Sequence, residues 1–339
     1  MPYRFAIIGC GRIAQRHAEH IAQQGLLLAV CDVIPEKARE LADRFNATPY
    51  FSVNDLFKKE HPDIVSVCSP NGWHPEHTME SLNHGSHVLC EKPMSISVSD
   101  GRKMIECAHR AGKKIYVVKQ NRYNPPVLAI KKLIDENKLG AILGFQMNCF
   151  WNRPADYYKQ DSWRGTIKLD GGTLFTQFSH FIDLLYWFLG DIEKVAGWRR
   201  NVMHQGIIEF EDSGMAMIEM KNGATGTINY SINSYKKNME GSFTLFGEKG
   251  TVKIGGQYLN ELDYFSVENE VRPILSSINT SNNYGFYEGS MSNHEKVYEN
   301  LIRALYNPDH VMVEAAEALK TVEIIENIYR SSPLIPQNP

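Results

Sequence analysis

Two stretches of the chain carry residue types and spacings suited to chemistry. The first is Gly9-Cys10-Gly11-Arg12-Ile13-Ala14, a G-x-G-x-x-A turn entered by a short apolar run and left by a helical pattern. Such a turn suits a dinucleotide. Gly9 allows the tight bend, Gly11 lets the backbone approach a pyrophosphate, Ala14 lets helix and strand pack closely, and the helix N-terminus faces the phosphates. Gly9, Gly11, Arg12 and Ile13 are therefore expected cofactor contacts. Asp32 ends the second apolar run, where a carboxylate can accept hydrogen bonds from the adenosine ribose. It would repel a 2′-phosphate, and Val33 and Ile34 after it supply no arginine for one, so NAD is favoured over NADP. Asp32 also suits a cap for the segment from Pro35. The second stretch is Cys90-Glu91-Lys92-Pro93, closing the fourth apolar run. Lys92 is expected to point into a cleft between domains, where burial beside a cofactor would lower its pKa and suit it to proton transfer. Read alone, a lysine before proline also fits a solvated turn.

Ser69-Pro70-Asn71 follows the third run and is expected at the carboxyl end of the sheet, beside a cofactor. Its composition equally fits an ordinary turn. His74 and His77 open the next helix with the spacing of a metal pair, but no third ligand stands nearby. No metal is expected, and His74 is read as a cap or cofactor contact.

These residues need elements to position them. Apolar runs at Phe5–Ile8, Leu26–Cys31, Ile64–Cys68, His87–Cys90 and Ile115–Val118 alternate with helical patterns at Arg12–Gln24, Pro35–Phe45, Pro75–His84 and Val98–Ala111. Continuous apolar runs separated by helices predict a parallel sheet covered on both faces, a doubly wound Rossmann domain over residues 1–122. Pro125 and Pro126 punctuate its exit, and Val127–Asn137 reads as a connecting helix. Residues 123–339 read as an α+β domain with a large, mostly antiparallel sheet for substrate binding and oligomerisation. Its strands are predicted at Ile142–Trp151, Ile192–Arg200, Gly206–Phe210, Met215–Met220, Thr225–Ser231, Ser242–Phe246 and Thr251–Ile254. Helices are predicted near Gly172–Leu189 and at Asn293–Tyr306 and Glu314–Arg330. Within the first of these, residues 176, 180, 183 and 187 share one polar face, opposite an apolar stripe of Leu174, Phe178, Phe181, Leu185 and Phe188.

Composition limits the partners. The 339 residues are 43% hydrophobic and 22% charged, with a formal net charge of −3 and no block of Lys and Arg. A globular protein with no nucleic-acid surface is expected. No apolar run is long enough for a membrane span. The opening residues read as a strand rather than a signal peptide. The six cysteines form no CxxC pair, and most lie on apolar runs, as buried thiols do in a reducing compartment. A cytoplasmic location follows.

Glu91-Lys92-Pro93, the glycine turn and the helix reading Gly171-Gly172-Thr-Leu-Phe-Thr176-Gln-Phe-Ser-His180-Phe-Ile-Asp183 together resemble the Gfo/Idh/MocA oxidoreductases. The resemblance spans essentially the whole chain. It implies hydride transfer between a sugar-type alcohol and a nicotinamide, with Lys92 near the reacting carbon and His180 as its catalytic companion. It also implies that Ser69, Pro70, Asn71, His74, Glu91, Lys92 and Asn121 line the cofactor, and that the protein is a homotetramer built through its second-domain sheets. Thr176 departs from the family pattern, which has aspartate there. Thr176 cannot act as a carboxylate base, so proton transfer falls to Lys92 and His180. Asp183 is a candidate to orient His180.

Further segments narrow the resemblance: Lys119-Gln-Asn-Arg-Tyr-Asn-Pro-Pro126, Trp151-Asn-Arg-Pro154, Tyr157-Tyr158 and Trp163-Arg-Gly-Thr166. With Thr-Gln-Phe-Ser-His they are similar to the subgroup that oxidises C3 of UDP-N-acetylglucosaminuronic acid for 2,3-diamino sugars of bacterial surface polysaccharide. This implies an anionic UDP-sugar substrate, a tightly held NAD that leaves turnover as NADH, and 2-oxoglutarate as a hydride acceptor. Substrate contacts are then expected from Arg122, Tyr123, Arg153, Tyr157, Tyr158, Trp163, Arg164, Thr176, Gln177 and Asp183. Arginine forks suit phosphate and carboxylate, although these aromatics equally suit an interface core. Tyr284, Tyr287 and His294 are weaker candidates. An inositol or simple sugar dehydrogenase, an NAD-dependent glycosidase and a non-catalytic NAD-binding regulator remain alternatives.

Overall fold

The structure is a computed structural model, and it describes residues 2–275, 281–283, 288–307, 309–310 and 312–335. Two compact units form, residues 1–119 with 294–322 and residues 120–293 with 323–339. The composition change divides the sequence at 122/123. By contact, the first unit also takes in residues 294–322.

The first unit runs β1 Arg4–Ile8, α1 Arg12–Gln24, β2 Leu26–Cys31, α2 Pro35–Phe45, β3 Thr48–Tyr50, α3 Val53–Lys59, β4 Ile64–Val67, α4 His74–Asn83, β5 His87–Cys90, α5 Val98–Ala111 and β6 Ile115–Val117. The sheet order is β3-β2-β1-β4-β5-β6, with every pair parallel. This is the doubly wound arrangement expected from the apolar runs. Strands β1 and β4 are almost wholly buried because helices cover both faces. The pattern reading omits β3 and α3. Strand β3 has three residues, carries Pro49 and lies at the sheet edge, where a missing N–H leaves no ladder bond unmade.

The second unit runs α6 Pro125–Asp135, β7 Ile142–Phe150, α7 Ala155–Tyr158, α8 Thr173–Thr176, α9 Ser179–Leu189, β8 Ile192–Arg200, β9 Ser213–Met220, β10 Thr225–Ser231, β11 Glu240–Gly247, β12 Gly250–Gly255, β13 Glu261–Val267, β14 Ser281–Asn283 and β15 Glu288–Met291. Seven strands form one sheet, β13-β12-β11-β7-β10-β9-β8, antiparallel except for the β7–β10 pair. Phe145, Met147, Phe243, Leu245, Ile228 and Ile218 bury one face, while Trp198, Met215, Met217, Phe246 and Tyr264 stand exposed on the other. Two helices close the chain, α10 His294–Tyr306 and α11 Ala315–Ser331. Among the described residues no helix is long and apolar enough to cross a membrane.

Three expectations are corrected in this unit. Pro125 and Pro126 begin α6 rather than precede it, since proline at the first turn gives up only an N–H that lacks a partner anyway. The helix expected from Gly172 to Leu189 is two helices, broken at Gln177 and Phe178. Residues 206–210 form turns and bends instead of a strand. The N–H groups of Ile207 and Ile208 donate to His204 O and that of Glu209 to Gly165 O, and Asp212 holds the loop in which they lie. Its Oδ2 accepts from the backbone N–H groups of Val202 at 2.9 Å and Met203 at 2.6 Å and contacts His204 Nδ1 at 3.2 Å, curling residues 201–212 into a loop. Strand β13, also omitted by the pattern reading, is a charged edge strand paired to β12 across a register shift.

Burial alone would raise the Asp212 carboxyl, but hydrogen bonds from His204 and from the Met203 and Val202 backbone bring it from 3.8 down to about 2. A carboxyl held low in the fold stabilises it above the unfolded value, and that contribution is lost as pH falls through the folded one. Asp212→Asn is expected to cost about 2 kcal/mol at neutral pH, with the gap to wild type narrowing below pH 3.8. Urea titrations at several pH values would measure it, and a gap that did not change with pH would refute the account.

Candidate active site

The glycine turn leaves β1 and is anchored at once, Gly9 N donating to Cys31 O at 2.8 Å. Gly9 has φ +93°, and a Cβ there would lie 2.5 Å from Ser69 N, so only glycine fits. A Cβ at Gly11 would meet no protein atom within 4 Å. The protein itself does not exclude a side chain at Gly11, and the glycine leaves room for a ligand. Helix α1 has no side-chain cap and no acid in its first turn. It opens instead on Arg12, a cation at the positive end of the helix dipole, which an anion at the same place would offset. Asp32 Oδ2 accepts from Cys10 N at 2.8 Å and Oδ1 from Ile34 N at 2.9 Å. The same carboxylate thus shapes both the glycine turn and the turn that leads into α2, and its remaining lone pairs suit a ribose diol. These features fit NAD.

Ser69, Pro70 and Asn71 lie between β4 and α4, as expected of the carboxyl end of the sheet. His74 is buried, with Nδ1 2.7 Å from Pro93 O and Nε2 2.8 Å from Ser69 O. Burial pushes its pKa down and the two carbonyls push it back. It ties the Ser69 segment to the Glu91-Lys92-Pro93 loop, in which the Lys92–Pro93 peptide is cis. His77 Nδ1 lies 2.9 Å from Ser69 Oγ, and burial lowers its pKa to about 4, so it is neutral.

Behind the loop, Glu91 Oε1 lies 2.8 Å from His17 Nε2 and 3.4 Å from His294 Nε2. His17 and His294 escaped the pattern reading as site residues, apart from His294 as a weak candidate. A usable signal was present for His17, a histidine on the buried face of α1 between Ala14, Ala18 and Ile21. The three residues have ligand types, with ligand atoms within 4.8 Å of one another. His17, however, already directs both ring nitrogens at hydrogen-bond partners, the other being Tyr298 Oη at 2.7 Å.

In the second unit, the 3-10 turn Gln120–Tyr123 lies against α9. Gln120 Nε2 is 3.2 Å from His180 Nε2, and His180 is 2% exposed. Arg122 makes a two-pronged pair with Asp183, Nε to Oδ2 at 2.7 Å and Nη2 to Oδ1 at 2.9 Å, with its guanidinium 4.8 Å over the Trp187 ring. Both oxygens of Asp183 thus accept from Arg122, which sequence spacing had not paired with it. Asn121 is buried, and among the described residues neither atom of its amide has a partner. An unmet buried amide costs about 1–3 kcal/mol.

The helix break separates Thr176 from the His180 face. Thr176 Oγ1 donates to Asp170 instead, and Asp170 Oδ2 accepts from Gly165 N at 2.8 Å. Gln177 Oε1 takes a hydrogen bond from Arg153 Nε at 2.7 Å, and its Nε2 donates to Tyr157 Oη at 2.9 Å. Arg153 is buried between Trp151 and Tyr157, and Nη1 also donates to Asn152 O at 2.7 Å. Arg164 pairs with Asp161 and Tyr157 and lies over the Trp163 ring. Tyr157 and Tyr158 are buried, Tyr123 and Trp163 half-buried. The structure therefore joins Arg153, Gln177, Tyr157 and Arg164 in one network. Tyr284 and Tyr287 lie outside the described residues.

A parallel sheet opened by this turn, with an acid just past its second strand, defines the first unit as an NAD-binding Rossmann fold of the oxidoreductase class. Residues 3–119 match the oxidoreductase family described by that fold, and residues 127–253 match the GFO/IDH/MocA C-terminal domain. The chain belongs to the Gfo/Idh/MocA oxidoreductase family. Among solved structures, it is similar to the WlbA dehydrogenase of Bordetella pertussis in complex with NADH and UDP-GlcNAcA, at 34% identity and TM-score 0.88 over 98% of this chain and 96% of that one. The WlbA dehydrogenase of Chromobacterium violaceum, with the same two ligands, matches at 33% identity and TM-score 0.88 over 97% and 93%. Among curated relatives, D-glucoside 3-dehydrogenase of Escherichia coli is 34% identical over 42% of this chain and 41% of that protein. Glucose-6-phosphate 3-dehydrogenase of Bacillus subtilis is 30% identical over 62% and 60%. The chain thus spans about two fifths and three fifths of the lengths of these two curated relatives.

Proposed function

We propose that the protein uses NAD to oxidise the C3 hydroxyl of UDP-N-acetylglucosaminuronic acid to the 3-keto sugar. The similarity to the WlbA dehydrogenase solved with NADH and UDP-GlcNAcA, which runs almost end to end, carries this reading. The names of the two curated relatives support the regiochemistry, since both are 3-dehydrogenases of glucose-type sugars. That same observation favours a second reading, a 3-dehydrogenase of simpler glucosides.

Bound NAD would supply the hydride acceptor, with its pyrophosphate at the Gly9–Ile13 turn, its adenosine ribose on Asp32 and Ser69, Pro70, Asn71, His74, Glu91, Lys92 and Asn121 as further contacts. The C3 hydroxyl gives its proton to His180 or to neutral Lys92 as the C3–H bond breaks, and the residue left cationic stabilises developing alkoxide charge. On the sugar side, Tyr123, Trp163, Arg164 and Thr176 are the proposed contacts. Arg122, Asp183, Arg153, Gln177, Tyr157 and Tyr158 hold that surface in shape. The protein acts in the cytoplasm, keeps its cofactor through turnover, returns it to NAD with 2-oxoglutarate and serves surface-polysaccharide synthesis, where a transaminase consumes the ketone. The open sheet face bearing Trp198, Met215 and Met217 supports assembly as a homotetramer.

The test mixes the purified protein with UDP-N-acetylglucosaminuronic acid and follows reduced-nicotinamide absorbance. Reduction that 2-oxoglutarate reverses is the expected result. No reduction with NAD bound would sink the nucleotide sugar, and turnover of a methyl glucoside or glucose 6-phosphate instead would establish the second reading.

A further inference from the structure

We infer that Glu91 is a positioning residue for Lys92, clamped by a buried hydrogen-bonded chain that runs through His17 and Tyr298 to Ser66. The inference rests on Lys92 being the reacting lysine of the proposed function.

Glu91 Oε2 accepts from the backbone N–H of Lys92 at 3.0 Å. Oε1 accepts from His17 Nε2 at 2.8 Å. His17 Nδ1 lies 2.7 Å from Tyr298 Oη, which in turn lies 2.8 Å from Ser66 Oγ. His17, Ser66, Tyr298 and His294 are each 0% exposed and Glu91 is 6% exposed. Burial alone would raise the Glu91 carboxyl, but hydrogen bonds from His17 and His294 hold it well below the usual carboxylate range. Burial pushes the His294 pKa down.

A buried carboxylate is a poor device for stability alone, because apolar groups of the same volume usually serve as well or better. What the carboxylate adds here is a fixed point for one backbone N–H. The partners come from separate elements: His17 from α1, which the glycine turn opens, Ser66 from β4, and His294 and Tyr298 from α10. The clamp therefore ties the Lys92 backbone to the helix whose N-terminus faces the dinucleotide. A reacting group displaced by about 1 Å can lose about 100-fold in rate, so such a tie has a use that packing alone does not supply.

The experiment compares wild type, Glu91→Gln and Tyr298→Phe as full-length protein with NAD. An amide at 91 can serve either His17 or Lys92 as acceptor, but its NH2 end cannot accept from the other. Tyr298→Phe keeps the ring and removes one link. Labelling of Lys92 by trinitrobenzenesulfonate, read by peptide mapping against the other lysines, is expected to rise several-fold in Glu91→Gln and less in Tyr298→Phe. Both the loosened backbone and the loss of the neighbouring anion favour the reactive neutral amine. In turnover, kcat is expected to fall by about 100-fold in Glu91→Gln, with KM for the sugar unmoved. Should Glu91→Gln fail to fold, Tyr298→Phe decides. Unchanged Lys92 labelling in a folded variant overturns the proposal, even if its melting temperature falls. A wild type that ignores the sugar fails the substrate reading alone, since labelling reads Lys92 without any sugar.

Discussion

Lys92→Ala and His180→Ala are each expected to lower turnover of the nucleotide sugar by roughly 10²–10⁴-fold, the usual worth of a positioned proton carrier. Lys92 is half-buried two residues past β5, and His180 is buried on α9 with Gln120 against its Nε2. Both variants keep the residues of the Gly9–Arg12 turn and Asp32, so NAD should remain bound, and fluorescence of the bound nicotinamide after reduction would check it. Added imidazole separates the two roles. If His180 takes the proton, imidazole should restore part of the lost rate in His180→Ala, whereas Lys92→Ala should respond to a small primary amine. Full activity in both variants would remove the catalytic assignment and leave an NAD-binding fold without a known reaction.

The second large effect is expected at Asp183. Its carboxylate and the Arg122 guanidinium are a two-pronged pair whose side chains are 3% and 7% exposed. Removing one partner strands the other charge in a low-dielectric interior, which typically costs 3–5 kcal/mol, an order-of-magnitude range of roughly that size being expected for Asp183→Ala. Asp183→Asn should lose less, because an amide oxygen still accepts one of the two bonds. Chemical unfolding of the purified variants measures both. The same change should reach the site, since the turn that carries Arg122 also carries Gln120. Turnover is expected to fall further than stability alone would explain. A loss below about 1 kcal/mol, the size typical of an exposed pair, would show that Arg122 and Asp183 are solvated in solution.

Much of the first unit was legible because its signals are local. An apolar run of four to six residues, a glycine turn and an acid at the end of the next run occupy neighbouring positions. Their geometry follows from backbone sterics and strand period alone. The missing strand β3 shows the limit, since three residues with a central proline carry no periodic signal. In the second unit, period alone misled twice. A helical stripe from Leu174 to Phe188 predicts which residues share a face only while the helix is unbroken. Gln177, drawn to Arg153 and Tyr157, interrupts it, and Thr176 turns to Asp170 instead of joining His180. The alternation at residues 206–210 likewise yielded to loop contacts, the N–H groups of Ile207 and Ile208 donating to His204 O and that of Glu209 to Gly165 O.

By itself, then, the sequence determined the doubly wound sheet, the dinucleotide turn and the preference for NAD. Each depends on residues close in the chain and on the sign of one carboxylate. Only the tertiary structure decided the partners of the chemical groups. It set Arg122 on Asp183, Gln120 on His180, and His17 with Tyr298 behind Glu91. It also placed residues 294–322 in the first unit. The physical reason is the same in each case. A buried polar group must find a donor or acceptor, and which one it finds depends on how distant segments pack, which no local period encodes.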